Sequence, residues 1–489
     1  MRAPGFAIGL LICGLAVAAA AIQPHPENPH YFVFKGKTVA LITSAEHYGS
    51  VLNLRFDDVA YLDELKRNGF NLTRTFSGTY RETGSSGHGP SPLSPGRGPE
   101  EFITPWAWSA ESGGYEGRKF DLDKWNPAYF ARLKKFLRDA DERGVVVELV
   151  LFCRMYDEQR WTESPMHPNN NLQGAAWKGL KAERFLASDS AELLARQKAV
   201  TRKIVTELRD APNVYFEIAN EPAQRTVQSE FAKANHAWHE AIAAEILDAE
   251  KGLAAGARHM IAYNSDYAAS EGMGPLVKGA SVINFHYLNR LRPALAAYDL
   301  GKALGYDETR WVAHPKRPEY RNTMSNAAGR IEAWEFLVGG GSVYSNLNHA
   351  YQVGNPAGRN SESEEFKGYL QALAKFLAGF DLTRMRRDTS MGAAGEVSAI
   401  SEPGRQYALY IHHSGYGMQQ RWYEPSTESH RAALKFTLPA GRYAVEWIEP
   451  LDGRVLRAEK LDHKGGMAEL GESPEYRADI ALRILRAQN

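Results

Sequence analysis

From about Thr38 to Asn348 short β-rich runs alternate with amphipathic helical segments, and no other feature of the chain constrains its fold as tightly. Eight runs are readable: Thr38–Ser44, Phe70–Phe76, Val145–Phe152, Val214–Ala219, His259–Tyr263, Ser281–Phe285, Ala303–Asp307 and Gly341–Ser345. Helical patterns separate them. The segment 56–69 sets Val59, Leu62 and Leu65 on one face and stops at Gly69. Segments 123–137, 190–209 and 326–338 repeat the design. Eight strands interleaved with helices is the count that closes a (β/α)₈ barrel, whose active sites lie at the C-terminal ends of the strands.

Past Gly354 the alternation fades. A helix at 365–377 leads to a basic link at 384–387, and from about Met391 only short strands and turn signals remain. The pattern predicts a barrel over residues 22–385 and a small β-sandwich over 391–489. Residues 1–21 read as a secretory signal peptide. Arg2 forms the n-region, Phe6 to Val17 the apolar stretch and Ala18 to Ala21 the cleavage zone. That apolar run is short of the roughly 18 residues a membrane span needs. The chain is therefore expected to be secreted or periplasmic, with no membrane attachment after cleavage. Cleavage would remove Cys13 and leave Cys153 alone, inside an apolar run where a buried structural thiol is expected.

Lys plus Arg and Asp plus Glu both total 58, so the net charge is zero and no electrostatic case exists for nucleic acid as a partner. A neutral oligosaccharide or polysaccharide agrees better with that balance. The sequence shows no metal-spaced His or Cys cluster and no phosphate-cradling glycine loop, so neither metal nor organic cofactor is called for. Two long insertions, 79–119 and 155–188, follow the second and third runs and so belong to the barrel mouth. They carry Trp106 and Trp108, and Trp161 and Trp177; indole rings there would suit the C–H faces of sugars.

Breaking a glycosidic bond takes two carboxyl groups flanking the anomeric carbon, one to protonate the leaving oxygen and one to attack or to activate water. The fourth run ends in Asn220-Glu221-Pro222 and the seventh in Asp307-Glu308-Thr309, from strands that face each other across a barrel mouth. The run Val214-Tyr-Phe-Glu-Ile-Ala-Asn-Glu-Pro222 resembles the acid/base strand of glycoside hydrolase clan A, the retaining (β/α)₈ enzymes. That resemblance implies Glu221 as acid/base, Glu308 as nucleophile and Asn220 as donor to the sugar 2-hydroxyl. It implies Arg74 as the group that keeps the nucleophile ionised, and His286-Tyr287 as a pair whose tyrosine bonds the nucleophile. The usual His after strand three and Trp after strand eight are missing. His47 and Asn346, at the ends of the first and eighth runs, are further candidates for hydroxyl contacts. The expectation is a retaining glycosidase in which the negative neighbour raises the pKa of Glu221. Transglycosylation at the same site and a non-catalytic carbohydrate-binding barrel are the alternatives.

Overall fold

One apolar residue from each of eight parallel strands builds the floor of a barrel. In the computed structural model, which describes residues 20–83, 91–222, 230–265, 276–288, 291, 295–309, 311–312, 324–416 and 423–487, these strands are β1 Leu41–Ala45, β2 Leu72–Phe76, β3 Val146–Cys153, β4 Val214–Asn220, β5 Ile261–Asn264, β6 Ala280–His286, β7 Ala303–Glu308 and β8 Val343–Leu347. The floor residues are Leu41, Leu72, Val146, Tyr215, Ala262, Val282, Ala303 and Val343. Neighbours pair in parallel from β2 through β8 and on to β1. At the remaining seam, β1 to β2, the Asn71 side chain stands in for a ladder. It accepts from Ile42 N at 2.8 Å and donates to the Ala40 carbonyl at 2.8 Å.

Below the floor, a three-stranded antiparallel sheet (Gln23–Pro24, Phe32–Phe34, Lys37–Val39) presses Ile22, Phe32 and Phe34 against it. The sequence reading had merged the last of these strands with β1. Around the barrel run α1 Asp58–Arg67, α2 Pro127–Glu142, α3 Glu158–Glu163, α4 Ala191–Leu208, α5 Glu230–Ala249, α6 Asn326–Val338 and α7 Ser361–Leu377. Asp57, Asn126, Asp157, Ser190, Ser325 and Asn360 cap the N-termini of all but α5 with side-chain acceptors.

The carboxy-terminal part is all-β. Besides a short hairpin of Ser414–Tyr416 and Tyr423–Pro425, its strands are β9 Arg386–Arg387, β10 Glu396–Glu402, β11 Gln406–His412, β12 Leu434–Leu438, β13 Gly441–Ile448, β14 Val455–His463, β15 Gly466–Leu470 and β16 Asp479–Arg486. Six form a sheet in the order β9-β10-β11-β16-β13-β14, while β12 and β15 pair separately. Leu409, Val445, Trp447, Leu482 and Ile484 on one face pack against Leu434, Phe436 and Leu438 of the smaller pair. On the other face Ile400, Ala408, Tyr410 and Ala481 join the barrel core. This second contact explains why α6 is buried along its whole length from Ala328 to Val338, although its pattern read as amphipathic. Glu332 accordingly accepts from Tyr306 and Tyr344 hydroxyls, and Glu335 from the Tyr423 hydroxyl.

Candidate active site

A strand turns successive side chains to opposite faces, so residues two positions beyond the apolar floor enter the same bore. For β2, β3, β4, β5 and β6 these are Arg74, Glu148, Glu217, Asn264 and Asn284, and all five are fully buried. On β7 the equivalent position is Gly305, where a Cβ would fall 2.2 Å from Asn284 Oδ1. The glycine thus leaves room for the Asn284 amide, which donates to Glu148 Oε1 at 2.6 Å and to Asp307 Oδ2 at 2.9 Å.

Arg74 organises the layer. Its Nε and Nη2 donate to Glu217 Oε2 at 3.0 and 2.6 Å, Nη2 also to Asn220 Oδ1 at 2.7 Å, and Nη1 to Glu308 Oε2 at 2.8 Å. Asp307 stands 3.3 Å from its Nε. Burial works against the guanidinium's charge, but Glu217, Asp307, Glu308 and Glu148 outweigh it and hold the pKa well above the ordinary value. Burial, aided by Asp307, pushes Glu217 up to about 7 despite Arg74. Glu148, buried between Asp307 and Glu217, is raised well above the carboxylate range.

The two glutamates singled out from the sequence meet above this layer. Glu308 ends β7, and its Oε1 accepts from the Tyr287 hydroxyl at 2.6 Å. Glu221 follows β4, and its Oε2 accepts from the Tyr156 hydroxyl at 2.5 Å. His286 ends β6 between them, with Nδ1 3.2 Å from Glu221 Oε1 and 3.7 Å from Glu308 Oε2. One oxygen of each glutamate and a ring nitrogen of His286 all lie within 4.8 Å of one another. The spacing would also suit a cation, but Arg74 already provides positive charge here through its contact with Glu308.

Glu221 and Tyr287, each the first residue past its strand, have φ of 44° and 45°. Side chains with a Cβ rarely occupy that left-handed region, and such backbone strain gathers at functional sites.

The electrostatics correct one expectation. Burial does raise the Glu221 pKa, but hydrogen bonds from His286 and Tyr156 and the charge of His286 outweigh it, so the net shift is downward. His286 in turn is raised well above its ordinary value, because Asp307 and Glu308 overcome the burial that opposes its charge. In the free protein the positive charge therefore resides on the imidazole beside a carboxylate.

Other candidates distribute unevenly. His47 stands at the end of β1 on a turn held by Glu46, whose carboxylate accepts from the backbone N–H groups of Tyr48, Gly49 and Ser50 at 2.6, 2.7 and 3.2 Å. Its imidazole makes no side-chain hydrogen bond with a described residue, and burial depresses its pKa to about 4, which leaves the ring neutral. Asn346 lies beneath the rim, donating to Thr309 Oγ1 at 2.8 Å next to Glu308. The tryptophans do not join the site as expected. Trp106 is 1% exposed in the hairpin formed by Trp106–Ser112 and Arg118–Trp125. Trp108 stacks on Phe120, with centroids 4.1 Å apart. Trp161 and Trp177 are buried, with indole N–H groups on the Leu180 and Met166 carbonyls. Trp106, Trp161 and Trp177 are used in folding the insertions, whereas Trp108 is half-buried with one face on Phe120.

No protein-family model matches the chain, and no curated protein matches it in sequence. Solved structures do match in shape. A structure described as a glycoside hydrolase superimposes with a TM-score of 0.60 at 11% identity, covering 96% of this chain and 97% of its own. A glycoside hydrolase family 5 structure from Bacteroides vulgatus gives 0.58 at 12% identity, covering 95% and 93%. The fold is that of these glycoside hydrolases. At such identities the likeness is one of architecture, and both matches extend over the barrel and the β-rich carboxy-terminal part.

Proposed function

We propose that the chain is a glycosidase that cleaves β-glycosidic bonds of a neutral oligosaccharide or polysaccharide with retention, Glu308 acting as nucleophile and Glu221 as acid/base. The observation that carries this reading is the approach of the two carboxylates, with one oxygen of each within 4.8 Å of the other at the ends of β7 and β4. Retaining sites hold their carboxyl groups about 5–5.5 Å apart, whereas inverting sites separate them by roughly 6.5–9.5 Å to admit a water. The likeness in fold to glycoside hydrolases supports the same reading.

In the first step a Glu308 oxygen bonds to the anomeric carbon as the bond to the leaving oxygen breaks. His286 Nδ1, 3.2 Å from Glu221 Oε1, gives its proton to that carboxylate as the sugar binds, and Glu221 delivers it to the leaving oxygen. Water then attacks the anomeric carbon, gives its proton to Glu221 and releases Glu308. Arg74 and Tyr287 orient Glu308 before attack, since each donates to one of its oxygens. Asn220, whose Oδ1 is fixed by Arg74, is the proposed donor to the sugar 2-hydroxyl and would turn an Nδ2 proton to it on binding. His47, neutral and without a side-chain partner among the described residues, is placed to exchange hydrogen bonds with further hydroxyls. Residues 1–21 would direct export, which amino-terminal sequencing of the mature protein checks; the segment 1–19 lies outside the described residues.

A screen of purified protein against aryl β-glycosides and oligosaccharides tests the activity. Glu308→Ala should abolish turnover, and azide should restore it with a glycosyl azide of inverted configuration. Wild-type turnover in that variant would remove Glu308 from the mechanism. Predominant transfer to sugar acceptors would move the reading to a transglycosylase, and binding without new reducing ends would move it to a carbohydrate-binding barrel.

A further inference from the structure

Each of the two facing glutamates has a tyrosine of its own, and the one on Glu221 comes from a loop outside the barrel strands. Tyr156 lies three residues beyond the end of β3. Its hydroxyl accepts from Asn220 Nδ2 at 3.0 Å and donates to Glu221 Oε2 at 2.5 Å. Burial, together with Cys153 and Glu221, keeps the phenol protonated by raising its pKa well above the ordinary value. A hydroxyl has one proton, so with Asn220 donating to the oxygen, that proton is directed at Glu221.

The ring is held on several sides. Arg154 and Arg160 each place a guanidinium 5.6 Å from its centroid, and Tyr80 meets it edge-on with centroids 6.2 Å apart. Arg154 is tied to β4 through its backbone N–H on the Asn220 carbonyl at 3.1 Å. Arg160 is fixed within α3, where its N–H donates to Asp157 at 2.7 Å. A phenol clamped in this way acts as a fixed hydrogen-bond donor.

We infer that Tyr156 is the positioning residue of the acid/base carboxylate: it occupies Glu221 Oε2 and so assigns the transferable proton to Oε1, on the side of His286. The inference rests on the glycosidase reading above and names a group that reading does not use. A carboxylate oxygen already accepting a short hydrogen bond is the poorer site for a proton, so protonation falls on the other oxygen. Loss of the donor would leave Glu221 free to rotate and would make its ionised form less favourable. The other titratable and charged groups facing Glu221 are His286 from β6, Tyr287 just past it, Glu308 from β7, Arg74 from β2, Cys153 from β3, neutral His47 from the turn after β1 and Glu82 from the loop after β2. Tyr156→Phe changes none of them.

The test uses full-length Tyr156→Phe with phenyl and 2,4-dinitrophenyl β-glycosides of whichever sugar the wild type accepts. A phenyl leaving group needs its proton; dinitrophenolate departs without one. General-acid assistance amounts to about 10²–10⁴-fold, and misplacing the acid should forfeit roughly a tenth of that range or more with the phenyl substrate. With the dinitrophenyl substrate the loss in kcat/KM should stay within about threefold. The basic limb of the pH profile should move to higher pH, because the ionised form of Glu221 has lost a donor. Equal losses with both substrates and an unmoved limb would overturn the inference, since a merely structural tyrosine affects both alike. Arg154→Met, which opens one face of the clamp, should show the same leaving-group dependence at smaller amplitude and carries the test if Tyr156→Phe does not fold. A wild type inactive even on dinitrophenyl glycosides would instead sink the glycosidase reading itself.

Discussion

Two buried sets of charges sit at opposite sides of the barrel wall, and they are built differently. Where α6 meets the six-stranded sheet, Arg330 forms a two-pronged pair with Asp479 at 2.9 and 2.7 Å, and the Tyr410 hydroxyl completes it at 2.7 Å. Each charge there has its opposite and both carboxylate oxygens are occupied. In the bore, Glu148, Glu217, Asp307 and Glu308 crowd around Arg74 and His286. Glu148 Oε2 and Asn284 Oδ1 find no hydrogen-bond partner among the described residues. A satisfied pair joins two parts of a fold, whereas surplus acid in a dry place holds protons and costs stability. That cost is typical of sites shaped for chemistry.

Three variants bear on this contrast. Glu308→Gln should lower kcat by about 10⁴-fold or more and leave the melting temperature unchanged or raised, because one of the crowded charges is gone. A melting temperature that drops with it would mean the bore charges are structural after all. Asp479→Ala strands the Arg330 guanidinium and should cost about 3–5 kcal/mol in urea unfolding, with kcat per folded molecule unaltered. Unchanged unfolding would dissolve the distinction from the other side.

Glu148→Gln should have the smallest effect and sharpens the pH argument. The folded-state pKa of Glu148 is raised, so above the ordinary carboxylate range the native protein keeps a proton that the unfolded chain releases. Wild-type stability therefore falls as pH rises through that window. The glutamine carries no such proton, so its melting curve should overlay the wild type in acid and lie above it at higher pH.

Much of this was legible in the residues. All eight barrel strands appear where the apolar runs stood, because β-branched and aromatic runs between helical patterns leave few other arrangements. Arg74, Asn220, Glu221, His286, Tyr287 and Glu308 come together because strand ends in a closed barrel converge on one mouth. Glu148 and Glu217 stand in the sequence as charged residues within apolar strands. Their joint layer with Arg74 is not legible there, since a lone internal acid looks structural until its partners on other strands are known. Tyr156 had no signal of this kind: it lies on a loop, where position follows from three-dimensional packing and not from periodicity. The tryptophans misled for the same reason, as sequence does not say which way a loop residue turns. The lowered pKa of Glu221 depends on His286 and Tyr156, neither of which is its neighbour in sequence.

The little sheet that presses Ile22, Phe32 and Phe34 under the barrel turns the bore into a cul-de-sac. With the floor closed by those side chains, a sugar seated at the rim, as the proposed function requires, would act as a lid over the acidic layer. Under such a lid the pull between Arg74 and Glu308 would strengthen as the proposed substrate settles between the carboxylates.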